Sequence, residues 1–143
     1  METGVAFTRI DPEAGQRFVS IRRALGVTAF GINQIILEPG QRGRIHRHER
    51  QEEVYVVLEG ALTLALVGEE RDLAAGELAR VAPEVRRQLV NRGPGRCVVL
   101  ALGGADGHEG RDGIAFTAWS DADGAPPQEV PLPDDLPETE LRG

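Results

Sequence analysis

Between residues 28 and 120 the sequence alternates short apolar runs with turn-forming residues, and this rhythm constrains the fold more than any other feature. Apolar runs such as 54–58 and 62–67 are long enough for strands and too short for helices. Gly60 between these two runs, and residues 68–70 after the second, indicate tight turns between neighbouring strands. Many short strands joined by tight turns predict an all-β barrel or sandwich rather than alternating β–α units.

The segments on either side of this region have a different character. In residues 1–27, the stretch 14–25 could form a helix, but the alternation over 18–22 favours a strand equally. We expect this segment to pack on a barrel formed by residues 28–120. Residues 121–143 are rich in proline and acidic side chains, so we expect an extended surface arm or a disordered tail. A lid, or an arm swapped between subunits, is the alternative for this last segment.

The chain is acidic and contains no lysine, and these two facts exclude several classes of function. The formal net charge is −7, and all 16 basic residues are arginine. Nucleic acids and anionic membrane surfaces both attract basic faces, so neither is an expected partner. A catalytic Schiff base requires a lysine and is therefore excluded.

Neither a membrane span nor an internal disulfide is expected. No apolar run approaches the roughly 20 residues of a transmembrane helix, and the first residues lack the basic and apolar regions of a secretory signal. Cys97 is the single cysteine and lies in an apolar run, so we expect it to pack as a small hydrophobic residue. These features predict a cytoplasmic protein.

The residues that can carry chemistry cluster in one short stretch. His46 and His48 are two positions apart, so on a strand both imidazoles point to the same face while Arg47 points to the other. Glu53 follows at the start of the next strand, where a hairpin would place it beside the pair. Two imidazoles and one carboxylate suit Fe²⁺, Mn²⁺, Ni²⁺ or Zn²⁺. His108, the third histidine, is expected in an exposed loop.

The spacing around this cluster resembles the first motif of the cupin superfamily, G-x5-H-x-H-x4-E-x6-G. The chain reproduces the motif in full with Gly40, His46, His48, Glu53 and Gly60. Several fixed positions at fixed spacing make the resemblance specific. It implies an all-β fold of the double-stranded β-helix type, the jelly-roll cupin barrel.

The second cupin motif, G-x5-P-x-G-x2-H-x3-N, is present in a degenerate form. Gly76 and Asn91 occupy their usual places. Ala82 replaces the usual proline and Glu84 the usual glycine. Arg87 replaces the histidine that supplies a fourth metal ligand in the family pattern, so the resemblance implies a site with only three protein ligands.

The resemblance covers residues 28–102 and implies a barrel whose cavity binds a small molecule. Cupins include dioxygenases, isomerases, decarboxylases and ligand sensors, so the fold leaves the reaction open. The leading hypothesis is a divalent metal held by His46, His48 and Glu53 that supports oxygenation or isomerisation of a small organic acid or sugar. The alternatives are a non-enzymatic ligand-binding or sensing protein and a metal-free structural barrel. A homodimer is also expected, because pairing of subunits covers exposed strand edges.

Arg87 is the most consequential departure from the family pattern. A guanidinium about 4 Å from a divalent cation would be repelled by roughly 8 kcal/mol at an effective dielectric constant of about 20. Two arrangements remain open: Arg87 turns aside from a metal and contacts a substrate carboxylate, or the metal is absent and Arg87 pairs with Glu53. Either arrangement has Arg87 lining the pocket. Tyr55 shares strand parity with Glu53, and Arg44 shares it with His46, so both are also expected at the pocket wall.

Overall fold

The computed structural model describes residues 4–105 and 112–143, and in these ranges the chain forms ten strands and one short helix. The helix α1 covers Ile21–Leu25. The strands are β1 (Phe18–Ser20), β2 (Gly31–Leu37), β3 (Ile45–His48), β4 (Glu52–Glu59), β5 (Ala61–Leu66), β6 (Glu69–Ala74), β7 (Leu78–Val81), β8 (Gln88–Val90), β9 (Cys97–Gly104) and β10 (Gly113–Phe116). Single 3-10 turns cover Pro127–Glu129 and Glu138–Glu140. No helix in the described ranges is long and apolar enough to cross a membrane.

The strands form two antiparallel layers. One layer has the order β1-β2-β9-β4-β7. The other layer contains two small sheets, the pair β10-β3 and the set β6-β5-β8. Isolated bridges from Arg42 to Val90 and from His46 to Arg87 join these two small sheets. The predicted all-β jelly-roll barrel is confirmed. Strands β3 and β4, which carry the candidate metal ligands, belong to different layers and therefore enclose the interior between them.

Gly60 shows why one position of the first motif is fixed. It joins β4 to β5 with a φ of +76°, a conformation that residues with a β-carbon rarely adopt. A β-carbon at this position would lie 2.2 Å from the carbonyl oxygen of Arg96. Any larger residue would push the turn away from Arg96, and the glycine therefore allows the hairpin to close against the chain entering β9.

Strand β6 differs from the sequence-based expectation of a turn at residues 68–70. The turn ends at Gly68, because Glu69 already pairs with Leu66 across the β5–β6 hairpin. Most side chains of β6 are exposed, and Leu73 is the buried one. Charged residues are tolerated in this strand because it lies at the edge of its sheet.

Both interpretations of the N-terminal segment hold in part, the strand for residues 18–20 and the helix for residues 21–25. Strand β1 pairs with β2, and α1 begins directly afterwards. The Ser20 hydroxyl accepts a hydrogen bond from the backbone N–H of Arg23, and Gly26 ends the helix in the left-handed region. A strand followed by a single helical turn is too short for either periodicity to dominate the sequence.

Residues 121–143 run along the barrel as an extended arm. Backbone hydrogen bonds join Ala125 to Ala115 of β10. The Arg42 guanidinium donates to the carbonyl oxygen of Asp134 at 2.9 and 3.1 Å. Arginines of the barrel thus hold the arm through its carbonyl oxygens, which remain available as acceptors although the prolines lack backbone donors.

Alternation along the strands directs one set of side chains into the barrel. Twelve buried side chains form a contiguous cluster there: Ile35, Leu37, Tyr55, Val57, Leu62, Leu64, Leu73, Val81, Leu89, Cys97, Val99 and Ala101. Four of these, Ile35, Tyr55, Leu89 and Ala101, also border a cavity. The core therefore fills one part of the interior and leaves another part open.

Candidate metal centre

Two strands bring the three candidate metal ligands together. His46 and His48 lie on β3, and Glu53 is the second residue of β4. One ligand atom from each side chain lies within 4.8 Å of those of the other two. The Nε2 atoms of His46 and His48 are 3.5 and 3.2 Å from Glu53 Oε1, and the two imidazole rings stand nearly perpendicular. The three side chains therefore converge on one point inside the barrel.

Hydrogen bonds to the other ring nitrogens fix the orientation of both imidazoles. His46 Nδ1 lies 3.1 Å from the carbonyl oxygen of Arg44, and His48 Nδ1 lies 2.8 Å from Asp112 Oδ1. Because these oxygens can only accept, each neutral imidazole carries its proton on Nδ1 and presents an unprotonated Nε2 to the cluster. His48 Nε2 is buried and, despite its proximity to Glu53, makes no hydrogen bond to a described residue. Metal-binding histidines are held in this way, so the cluster fits a divalent ion.

Asp112 is a site residue that the sequence analysis misses. Its carboxylate accepts hydrogen bonds from the backbone N–H groups of Arg50 and Gln51 at 2.8 Å and from the Gln51 side-chain amide at 2.6 Å. Burial alone would raise the pKa of Asp112, but these donors and His48 hold it below its ordinary value. Asp112 is 64 residues from His48 in the chain, so no local motif connects the two.

Glu53 is the centre of a buried hydrogen-bond network. The Tyr55 hydroxyl and Arg87 Nη2 both donate to Glu53 Oε1 at 2.6 Å. Burial alone would raise the pKa of Glu53, but the imidazoles of His46 and His48 hold it well below its usual range, because in their protonated forms they would donate to the carboxylate and attract its charge. Glu53 is therefore a carboxylate, the form that binds a metal ion.

Two neighbours of Glu53 have raised pKa values for different reasons. Burial and the Glu53 carboxylate raise the pKa of Tyr55 well above its ordinary value, so the phenol stays protonated and acts as a donor. Burial lowers the pKa of His48, but the carboxylates of Glu53 and Asp112 outweigh this effect and raise it above its ordinary value. Metal binding therefore competes with protonation of His48.

Arg87 lies behind Glu53 and not at the cavity wall. Its side chain is completely buried and, besides Glu53, it donates to the Tyr55 hydroxyl at 3.1 Å and to the Val85 carbonyl at 2.7 Å. Its backbone N–H and carbonyl pair with those of His46 at 3.0 Å, which fixes the chain at this point. The prediction that Arg87 lines the pocket is wrong, because these partners hold the guanidinium away from the cavity. Arg87 thus pairs with Glu53 and does not turn aside toward a substrate carboxylate.

A cavity of about 280 Å³ opens beside the three candidate ligands. Tyr55 and Arg44, the other two residues expected at the pocket wall, both border it. Asn33 of β2 borders it as well, and no sequence pattern identifies this residue. The rest of the wall is uncharged and consists of Phe18, Ile35, Gly43, Leu89, Ala101 and Pro127. His108 lies outside the described residues.

A sequence profile of the cupin domain family matches residues 33–103, the range that contains His46, His48, Glu53 and Arg87. No curated protein matches the sequence significantly. Among solved structures, a cupin protein from Bacteroides fragilis has a TM-score of 0.64 and is 22% identical, over 74% of this chain and 88% of its own.

Two further solved structures resemble the chain. A cupin-superfamily sugar phosphate isomerase from Silicibacter pomeroyi is 26% identical with a TM-score of 0.62, over 81% of this chain and 79% of its own. The cupin domain of an XRE family transcriptional regulator from Enterobacter cloacae is 25% identical with a TM-score of 0.55, over 62% of this chain and 97% of its own. With its complete first motif, its jelly-roll barrel and the profile match, this chain belongs to the cupin superfamily.

Proposed function

We propose that this cupin holds a divalent metal ion with His46, His48 and Glu53 and isomerises a small sugar or organic acid in the adjoining cavity. One observation carries the proposal: two Nε2 atoms face Glu53 while both Nδ1 atoms are occupied by acceptors. A surface pair of histidines would not need this orientation. Three protein ligands also leave coordination positions for water or a ligand.

The ligand set is compatible with Fe²⁺, Mn²⁺, Ni²⁺ and Zn²⁺. When bound, such an ion would act as a Lewis acid toward an oxygen of the ligand. The contribution of the protein is orientation of the ligand set. The Arg44 carbonyl and Asp112 hold the imidazoles, and Tyr55 and Arg87 hold the Glu53 carboxylate.

The Arg87–Glu53 pair supports a barrel that is stable both with and without metal. Arg87 balances the charge of Glu53, so a metal-free interior buries no unpaired carboxylate. The family pattern has a fourth ligand at the position of Arg87. With three ligands and a cation nearby, we expect weaker and more exchangeable metal binding than a four-ligand site would give.

Isomerisation is supported by the similarity to the sugar phosphate isomerase from Silicibacter pomeroyi, which extends over 81% of the chain. The cavity is small, with a few polar groups in an otherwise uncharged wall, which suits a small hydroxylated ligand. Oxygenation of a small organic acid is the alternative reaction for the same ligand set.

Metal content is the first test. Protein purified without a histidine tag and exposed in turn to each of the four ions should bind about one ion per chain, measured by elemental analysis. His48→Ala should lose the ion, and Asp112→Asn should weaken binding by about 10- to 100-fold, because Asp112 orients His48. Arg47→Ala is the matched control, since Arg47 lies between the histidines and points away from them. Wild-type protein that binds none of the ions would contradict the proposal.

Proton exchange is the test of the reaction. An isomerase that moves a proton between adjacent carbons should introduce deuterium at carbon 2 of a sugar phosphate in D₂O, detected by NMR. Ribose 5-phosphate is a suitable probe. Exchange should require the metal-loaded protein and disappear in His48→Ala.

Ligand sensing is the second candidate function, and the similarity to the cupin domain of an XRE family regulator favours it. A sensor would use the same cavity and bind its ligand without turnover. Ligand binding by metal-loaded protein in the absence of proton exchange would support sensing over isomerisation.

A further inference from the structure

We propose that Arg44 makes this cavity selective for an anionic ligand, a small hydroxylated molecule that carries a phosphate or a carboxylate. The inference rests on the proposed metal-binding function, because it concerns the same cavity. Arg44 stands two residues before His46, directly before β3. It borders the cavity together with His46, His48 and Glu53.

One edge of the Arg44 guanidinium is engaged and the other is free. Its Nε donates to the carbonyl oxygen of Val130 in the C-terminal arm at 2.6 Å. Within residues 4–105 and 112–143, its Nη1 and Nη2 atoms make no hydrogen bond and no carboxylate pairs with them. These two nitrogens form an edge with which arginine binds a phosphate or carboxylate through parallel hydrogen bonds. The contact with the arm therefore holds Arg44 in place and leaves its recognition edge available.

The charges around the cavity also favour an anion. Arg87 and Glu53 neutralise each other, and Asp112 is engaged behind His48. Arg44 contributes a positive charge that pairs with no described carboxylate, and a divalent ion at the cluster would make the charge around the cavity positive. Excess charge in a partly desolvated cavity is unfavourable unless an opposite charge accompanies it. A neutral ligand would leave the excess unchanged, whereas a phosphate or carboxylate would reduce it.

The remaining wall defines the body of the ligand. Asn33 borders the cavity, and its side-chain amide makes no hydrogen bond to a described residue. A primary amide both donates and accepts, which suits a hydroxyl group. The volume of about 280 Å³ lies just below the roughly 300–1,000 Å³ that is typical of ligand cavities, which suits a small ligand. A short hydroxylated chain with one terminal oxyanion satisfies all of these features.

The experiment compares three ligands that share one sugar skeleton: ribose, ribose 5-phosphate and ribonate. Calorimetric titration of the metal-loaded full chain should show at least one of the two anions binding about tenfold or more tightly than ribose. Arg44→Gln should lose most of this ratio, and the metal ion alone should account for the preference that remains. Arg44→Lys should retain part of it, because the charge remains while the two-pronged edge is lost. Arg47→Gln is the matched control and should leave the ratio unchanged.

The metal content of each variant separates this proposal from the preceding one. Protein that binds no divalent ion overturns the metal-binding function. Two results would overturn the role of Arg44 and leave the metal-binding function intact. The first is metal-loaded protein that binds ribose as tightly as both anions, or that binds none of the three ligands. The second is an Arg44→Gln variant that keeps the full preference for the anion over ribose. Whichever anion binds more tightly identifies phosphate or carboxylate as the recognised group, and the melting temperature of each variant confirms that the barrel remains folded.

Discussion

The same strands build two different halves of the barrel interior. The filled half consists of completely buried apolar residues that do not border the cavity: Leu37, Val57, Leu62, Cys97 and Val99. The open half begins a few residues away on the same strands, with Asn33 on β2, Glu53 on β4 and Ala101 on β9. The change from core to site therefore occurs within single strands and needs no separate structural element.

The two halves are stabilised in different ways. Apolar packing removes surface from water in the filled half, at roughly 25 cal/mol per Å². The open half contains the partly buried carboxylate of Glu53 and the completely buried guanidinium of Arg87, which are tolerable only when paired and hydrogen-bonded. The contrast shows that a binding cavity can adjoin a core if every buried charge beside it has a partner.

Removing the Arg87 guanidinium from the open half should have the largest effect on stability. Arg87→Ala leaves the Glu53 carboxylate without its cationic partner and the carbonyl of Val85 without its donor, so the free energy of unfolding should fall by about 3–5 kcal/mol in metal-free protein. Metal affinity should rise by about tenfold, because a positive charge beside the site is gone. Urea denaturation and metal titration measure the two effects.

The control for this change is Arg80→Ala, which removes a surface arginine that pairs with Glu52. An exposed pair of this kind contributes about 0–1 kcal/mol. Equal losses for the two variants would mean that the Arg87–Glu53 pair does not support the open half.

A change in the filled half should cost stability and spare the site. Leu62→Ala creates a cavity at a completely buried position and should lower the free energy of unfolding by roughly 3 kcal/mol. Metal content should stay the same, because Leu62 does not border the cavity. Loss of metal from this variant would show that the two halves are coupled.

The reactivity of Cys97 provides an independent measurement of how far Leu62→Ala destabilises the filled half. Burial and the nearby Glu59 raise the pKa of the thiol to about 12, so it should resist alkylation in the native barrel. Alkylation should be faster in Leu62→Ala, because the thiol reacts when the filled half opens.

The two halves also differ in how much of their structure the sequence predicts. Period-two alternation and the first motif identify the strands of the core and the cluster of His46, His48 and Glu53, because both depend on residues close in the chain. Asp112 and the path of the arm depend on contacts across the fold, and Asn33 looks like any polar residue in a strand. The family pattern has a histidine ligand at the position of Arg87, and this is why the sequence predicts Arg87 at the pocket wall. The longer guanidinium instead finds its acceptors at Glu53, Tyr55 and the preceding turn.

Of the substitutions inside the barrel, Tyr55→Phe should have the smallest effect, and Tyr55 lies at the boundary between the two halves. Its ring belongs to the core cluster, while its hydroxyl donates to Glu53 and accepts from Arg87. Tyr55→Phe keeps the ring and should cost about 1–2 kcal/mol, since two charged partners lose one hydrogen bond each. Tyr55→Ala removes the ring as well and should cost about 3–5 kcal/mol. If urea denaturation gives the same loss for both variants, the hydroxyl network alone holds the boundary. A negligible loss for Tyr55→Phe would instead mean that packing of the ring suffices, and that Arg87 and Glu53 hold each other without help from the phenol.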